Sequence, residues 1–189
     1  KWIVGRFFRI KVKRGLPIFV AEVGVLVGDT SSYLLESIPS LHLTMIDPWK
    51  KPQAGSRWYG THDRIATKKK QEHYDQAYRD TIQRTKFAEQ RISIIREESK
   101  EAAIQLSGQK FDLIFIDGDH SYEGTLEDII SFWPIVVSGG ILCGHDFNSM
   151  TEEGTGRRKF GVIRAVTEWT KKENLELMYF PGTIWAVKK

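Results

Sequence analysis

Short apolar runs alternate with helically spaced segments along most of this chain. Ile18 to Val25 is a continuous β-rich run, the pattern of a strand buried on both faces. A glycine-containing turn follows, and Thr30-Ser31-Ser32 precedes Tyr33, Leu34, Leu35 and Ile38, which predicts a helix opened by hydroxyl caps. Leu41 to Ile46 reads as a second strand. Glu72 to Gln90 is polar with helical spacing, Arg91 to Ile95 is a short strand, and Ser99 to Leu106 is a helix. Phe111 to Ile116 is a strong strand. Tyr122, Leu126, Ile129, Ile130 and Trp133 share one face of a helix over 122–133. Gly139 to Gly144 holds another strand, and Ile163, Val166 and Trp169 mark a last helix. Leu175 to Tyr179 and Thr183 to Val187 flank Pro181-Gly182, a hairpin signal. Residues 48–70 have no clean period and predict a loop, expected to order over the site as a lid when substrate binds.

Alternation of this kind predicts an α/β fold: a Rossmann-like, doubly wound, mainly parallel seven-stranded sheet with an antiparallel edge strand from the closing hairpin. Sheets of this type bind ligands at the carboxyl ends of their strands, near the point where the strand order reverses. The candidate chemistry of this chain lies at those ends.

Composition narrows the class. The 189 residues suit one domain spanning 1–189, with 41% apolar and 28% charged residues, as in ordinary water-soluble proteins. No apolar run approaches the roughly 20 residues of a membrane span. The chain opens on Lys1 rather than Met, which leaves room for residues upstream. Its start is basic and amphipathic without a signal-peptide core. A lone cysteine, Cys143, sits in an apolar run and reads as a buried thiol, natural in a reducing cytoplasm. The net charge is +4, mild for a nucleic-acid binder. The bases do cluster, over Lys1 to Arg14 and again over Lys50 to Lys70. Such clusters are either solvated surface or an attraction for anions.

Five constellations carry chemistry. In Ala21-Glu22-Val23-Gly24-Val25-Leu26-Val27-Gly28-Asp29-Thr30, Gly24 and Gly28 permit a tight turn and close backbone approach to a ligand. Leu26 replaces the second glycine of the dinucleotide fingerprint, and Glu22 would repel a pyrophosphate. A carboxylate there suits an α-ammonium group instead. Asp47 ends the second strand, where it can accept ribose hydroxyls. Ser99 follows the third strand, near the place of an adenine, and equally reads as a helix N-cap. Asp117-Gly118-Asp119-His120 ends the fourth strand, and His145-Asp146 ends the fifth. Adjacent parallel strands lie about 4.8 Å apart, so Asp117, His145 and Asp146 could converge on one divalent cation. Carboxylates suit Mg²⁺ or Mn²⁺, and imidazole tilts the choice toward Mn, Fe or Zn. The alternative is a hydrogen-bonded loop pair without metal.

Taken together these motifs resemble class I S-adenosylmethionine (SAM)-dependent methyltransferases over about residues 18–187. The resemblance is to the branch of metal-dependent small-molecule and sugar O-methyltransferases, with macrocin-type and cephalosporin-hydroxylase-like proteins and, further off, catechol and caffeoyl-CoA enzymes. It implies SAM contacts at Glu22, Gly24, Thr30, Asp47, Ser99 and Asp119, with Gly28 closing the same turn, and metal ligands at Asp117 and Asp146. His120 stands where catechol-type enzymes carry a lysine, which implies a general base beside the substrate hydroxyl. His145-Asp146-Phe147 stands where those enzymes have an Asp-Asn pair. The implied reaction is methyl transfer from SAM to a hydroxyl of a small molecule or sugar. Trp49, Trp58, Tyr59 and His62 either pack on a sugar or aromatic ring of the acceptor or simply pack the loop. Alternatives are an RNA methyltransferase, a SAM-binding module without turnover, or a homo-oligomeric form of any of these. An NAD-dependent oxidoreductase is disfavoured by Glu22 and the missing glycine.

Overall fold

The computed structural model describes residues 7–53, 69–148 and 160–189. In chain order these form α1 (Arg9–Arg14), β1 (Ile18–Val23), α2 (Asp29–Ser37), β2 (Leu41–Ile46), α3 (Gln71–Thr85), β3 (Ile92–Ile95), α4 (Ser99–Gln105), β4 (Phe111–Ile116), α5 (Tyr122–Phe132), β5 (Val136–Gly144), α6 (Val162–Lys172), β6 (Leu177–Phe180) and β7 (Ile184–Lys188). The strands make one seven-stranded sheet in the order β3-β2-β1-β4-β5-β7-β6. β1 to β5 are parallel. β7 runs against them, slotted between β5 and β6 at that edge. The architecture is the expected Rossmann-like α/β sheet.

The inner strands β1, β2 and β4 are apolar because both of their faces are covered. From β1, Ala21 and Val23 pack on the side that also buries Ile129, Phe132 and Val166. Ile18 and Val20 pack on the other side with Leu34, Leu35 and Ala77. α6 shows the matching helical pattern, burying Val162, Ala165, Val166 and Trp169. α5 starts where Ser121 Oγ accepts the N–H of Gly124 at 3.0 Å. Cys143 lies fully inside, and burial pushes its thiol above the usual range.

The boundaries differ from the sequence reading in a few places. β1 stops at Val23 rather than Val25, because Gly24 turns the chain with φ +86. The polar helix ends at Thr85 and continues as a 3₁₀ turn over Lys86–Arg91, since Ala88 leaves helical geometry. β5 begins at Val136, earlier than the glycine pair suggested. α1 was not foreseen; it closes on Gly15 at φ +62, and Lys11 Nζ meets Asp112 Oδ1 at 2.5 Å. Among the described residues, no helix is long and apolar enough to cross a membrane.

Register is what positions the site. Val23 pairs with Ile46 and Ile116, Ile46 with Ile95, and Ile116 with Gly144. Five neighbouring strands therefore end in one row. The next residues are Gly24, Asp47, Arg96, Asp117 and His145. The order reverses between β1 and β4, and the cleft opens there.

Candidate active site

The ladder hydrogen bonds continue one residue past the strand ends. Gly24 N donates to Ile46 O at 2.9 Å, Asp47 N to Ile95 O at 3.2 Å, Asp117 N to Val23 O at 2.7 Å and His145 N to Ile116 O at 3.1 Å. Each functional residue is thus held on the rigid sheet. Gly24 sits so close to β4 that a Cβ there would lie 2.1 Å from Asp117 O and 2.8 Å from Gly118 Cα. The place of a side chain here is taken by the β4–α5 turn, and Gly24 itself lines the cavities at the strand ends.

Two cavities of about 470 and 490 Å³ meet at Gly24, Asp47, Pro48, Glu98 and Gly118. They form one cleft across the strand ends. In the first cavity, Ser99 is not the N-cap of α4; Glu98 is, though its side chain does not cap the helix. The Ser99 hydroxyl instead donates to Asp128 Oδ1. Asp128 is buried on α5 and was not singled out from sequence; its 29-residue separation from Ser99 hides the pairing. Asp119 Oδ1 accepts from Ser121 N at 2.9 Å. Its Oδ2 is buried without a hydrogen-bond partner among the described residues, over Gly124, where a Cβ would meet it at 2.3 Å. An orphaned acceptor in a cavity wall is costly unless a ligand supplies a donor.

Asp47 lines both cavities. Its Oδ2 accepts from Val25 N and Leu26 N, each at 2.9 Å, and its Oδ1 from Trp49 N at 2.7 Å. One acceptor position remains on Oδ1, enough for one ribose hydroxyl while the loop keeps this shape. Burial raises the Asp47 pKa, against the pull of those three N–H groups. Glu22 is buried in the second cavity and accepts from Ser31 Oγ. Burial pushes its pKa up to about 8, which favours the neutral acid near pH 7. Thr30 lines the same cavity. Gly28 does not line the cleft. It takes φ +75 and faces Thr81 of α3, so its role is helix packing.

A polar cluster closes the far end. His120 Nε2 is 3.2 Å from Asp117 Oδ1 and 3.0 Å from Asp146 Oδ2. His145 Nδ1 stands 3.4 Å from Asp146 Oδ2 and 3.8 Å from Asp117 Oδ1, and its Nε2 is 3.2 Å from Thr183 Oγ1. One ligand atom each from Asp117, His120 and Asp146 lies within 4.8 Å of the others, which is compatible with one metal ion. His120 thus joins the two carboxylates in the place foreseen for His145, which sits at the rim. Burial alone would lower the His120 pKa, but hydrogen bonds and charge from Asp117 and Asp146 push it up to about 9. The same contacts hold Asp146 well below the usual carboxylate range, against its own desolvation. These contacts favour the protonated ring of His120. Its ring stacks on Phe160 at 4.6 Å, and its carbonyl accepts from Gly161 N at 2.8 Å. Neither partner was visible in sequence.

Of the aromatic residues placed near the acceptor, Trp49 is fully buried and donates its indole N–H to Leu26 O at 2.7 Å. It packs the loop and does not face a substrate. Trp58, Tyr59 and His62 lie outside the described residues, as does most of the foreseen lid.

The sequence profile of a family described as a methyltransferase domain matches residues 21–147. The chain belongs to this methyltransferase family. No curated protein matches it in sequence. Among solved structures this methyltransferase is similar to the O-methyltransferase NovP (TM-score 0.66, 15% identity, covering 100% of this chain and 78% of that one). A caffeoyl-CoA O-methyltransferase-like protein from Staphylococcus aureus gives TM-score 0.62 at 14% identity, over 97% of this chain and 83% of that one. MycE of the mycinamycin pathway, solved with Mg and S-adenosylhomocysteine (SAH), gives 0.60 at 15% identity, over 99% of this chain. The methyltransferase described here spans about half of MycE, 48% of that chain. At these identities the likeness is one of fold. The matched segment 21–147 holds every foreseen cofactor residue and the whole Asp117–His120–Asp146 cluster.

Proposed function

We propose that this methyltransferase uses SAM to methylate a hydroxyl of a small molecule or sugar, with a divalent cation at Asp117, His120 and Asp146. The observation that carries the reading is the continuous cleft. It runs from Ser99 and Asp128, past Gly24, to Asp117 and His120, which stand beside Asp146. Its acidic walls suit a cationic ligand with hydroxyl and amino donors. The orphaned Asp119 Oδ2 and the free position on Asp47 Oδ1 are the acceptors such a ligand would fill. Support comes also from fold relatives: MycE solved with Mg, SAH and mycinamycin VI, and CalS11, a TDP-rhamnose 3'-O-methyltransferase.

SAM supplies an electrophilic methyl group, and the protein's main task is to position it. Gly24 lines the place where the cofactor would lie across the strand ends. Asp47 orients the ribose, and Glu22 faces the amino-acid end, where an ammonium group would draw off its proton. A divalent cation at the acidic cluster would polarise the acceptor hydroxyl. As a ligand through Nε2, which faces both carboxylates, His120 would be a neutral imidazole holding the cation in place, and the hydroxyl acidified by that cation would release its proton to solvent. His145, tied to Thr183, orients the Asp146 turn, where Asp146 has φ +56.

The RNA reading draws no support from the described basic residues of the first cluster. α1 docks on Asp112 near the amino end of β4, opposite the cleft. The test is transfer of labelled methyl from SAM to a panel of hydroxylated small molecules, with Mg²⁺, Mn²⁺ or EDTA. Activity restored by either metal supports the proposal. Transfer to RNA alone, or equal activity in EDTA, contradicts it.

A further inference from the structure

The acceptor side of the cleft is not acidic throughout. Lys50, Lys51 and Lys69 line the same cavity as Gly24, Asp117 and His120. The segment after β2 that carries the first two is held firmly. Trp49 N is bound by Asp47, its indole by Leu26 O, and its carbonyl by Gln71 Nε2 at 3.0 Å and Arg96 at 3.3 Å. Lys51 N donates to Gln71 Oε1 at 2.8 Å. The backbone of both lysines is therefore fixed between β2 and α3, and the ammonium groups reach from a set origin. Lys69 Nζ lies 2.7 Å from His73 Nε2, one helical turn along.

Charge in this cavity is unequally matched. Asp29 pairs with Arg84 at 2.5 Å, and Asp117 meets His120. Glu22 accepts from Ser31, and Asp47 takes three backbone N–H groups. These carboxylates, and Glu98 which also lines the cavity, are engaged, whereas among the described residues Lys50 and Lys51 form no ion pair with a carboxylate. Cations gathered on one wall of a cleft raise the local concentration of anionic ligands.

We propose that the methyl acceptor is an anion: a hydroxylated small molecule with a phosphate or carboxylate group held by Lys50, Lys51 and Lys69 while its hydroxyl lies at Asp117 and His120. This rests on the methyltransferase reading above. Lysine ammonium groups bind either anion as point charges, without the planar fork that arginine would offer. Loss of two charge-assisted contacts weakens such binding by roughly tenfold or more.

The test uses the SAH-loaded protein and calorimetric titration with pyrophosphate, glucose 1-phosphate, glucuronate and, as neutral control, methyl glucoside. SAH binding is measured first in wild type and in the Lys50→Ala/Lys51→Ala variant. The expected result is equal SAH affinity in both. At least one anion binds wild type, weakens with added salt, and binds the variant about tenfold or more weakly. Binding by pyrophosphate and glucose 1-phosphate but not glucuronate assigns a phosphate; the reverse assigns a carboxylate. Intact SAH binding overturns this inference alone if methyl glucoside binds as well as the anions, if no anion binds at millimolar concentration, or if the variant binds them undiminished. Absence of SAH binding overturns both readings. Preferential, steeply salt-dependent capture of a short oligoribonucleotide overturns the small-anion proposal in favour of RNA.

Discussion

Replacing Gly24 with alanine separates two costs that the structure makes distinct. The first is conformational, since Gly24 has φ +86, and a residue with a Cβ in this region loses about 1–2 kcal/mol. The second is steric. The new Cβ would stand 2.1 Å from Asp117 O, 2.5 Å from its carbonyl carbon and 2.8 Å from Gly118 Cα. All of these are backbone atoms of the β4–α5 turn, which has no rotamer with which to yield. Overpacking of this kind costs about 1–3 kcal/mol more. Gly182 is the matched control, with φ +84 and nothing within 4 Å of the place an added methyl would take. Gly182→Ala carries the first cost without the second, and both share the loss of unfolded-chain entropy. Urea unfolding at constant slope gives the comparison. Gly24→Ala is expected to lose about 2–5 kcal/mol and Gly182→Ala about 1–2 kcal/mol. SAM affinity falls only in the first, because relief of the clash moves Asp117 and Gly118. Equal midpoint shifts, or wild-type SAM affinity in Gly24→Ala, would refute the argument.

Asp47→Ala removes the acceptor of three backbone N–H groups and the ribose position together. Calorimetry should show SAM binding weakened by roughly 1.5–3 kcal/mol, and an unchanged affinity would sink the ribose assignment. Glu22 has its pKa raised from 4.5 to about 8, so its contribution to stability is full below pH 4.5 and is lost as pH rises toward 8. Glu22→Gln keeps a neutral side chain at every pH. Its stability relative to wild type should therefore climb between pH 5 and pH 8 in denaturant titrations, and a flat difference would contradict the burial argument. Mn²⁺ should raise the melting temperature of wild type and leave that of Asp146→Ala unmoved, while SAM affinity persists in the variant. An equal thermal shift in both would remove Asp146 from the cation site.

The strands were legible because strands covered on both faces must be apolar throughout. Ile18, Leu41 and Phe111 begin their runs at the same residues in sequence and structure. Strand-end carboxylates were legible for the same reason: Asp47 and Asp117 interrupt hydrophobic runs. What stayed hidden depends on contacts between distant segments. Ser99 reads as a cap locally, yet its hydroxyl finds Asp128 across two helices. His120 reads as a base alone, yet the β5 turn brings Asp146 to within 3.0 Å and favours its protonated ring. Gly28 shares a motif with Gly24 but turns toward α3, a direction that spacing does not encode. Glu22 reads as a charge, yet burial raises its pKa against the pull of the Ser31 hydroxyl.

The central claim is that the cleft over Gly24, between Asp47 and Asp117, is a SAM site. Calorimetric titration of the purified protein with SAH, alongside NAD⁺ at the same concentrations, tests it directly. SAH should bind at one site per chain and displace SAM competitively, while NAD⁺ should not displace SAH, because Leu26 stands where a dinucleotide-binding turn has its second glycine. Binding of NAD⁺ without SAH, or of neither, would contradict the account.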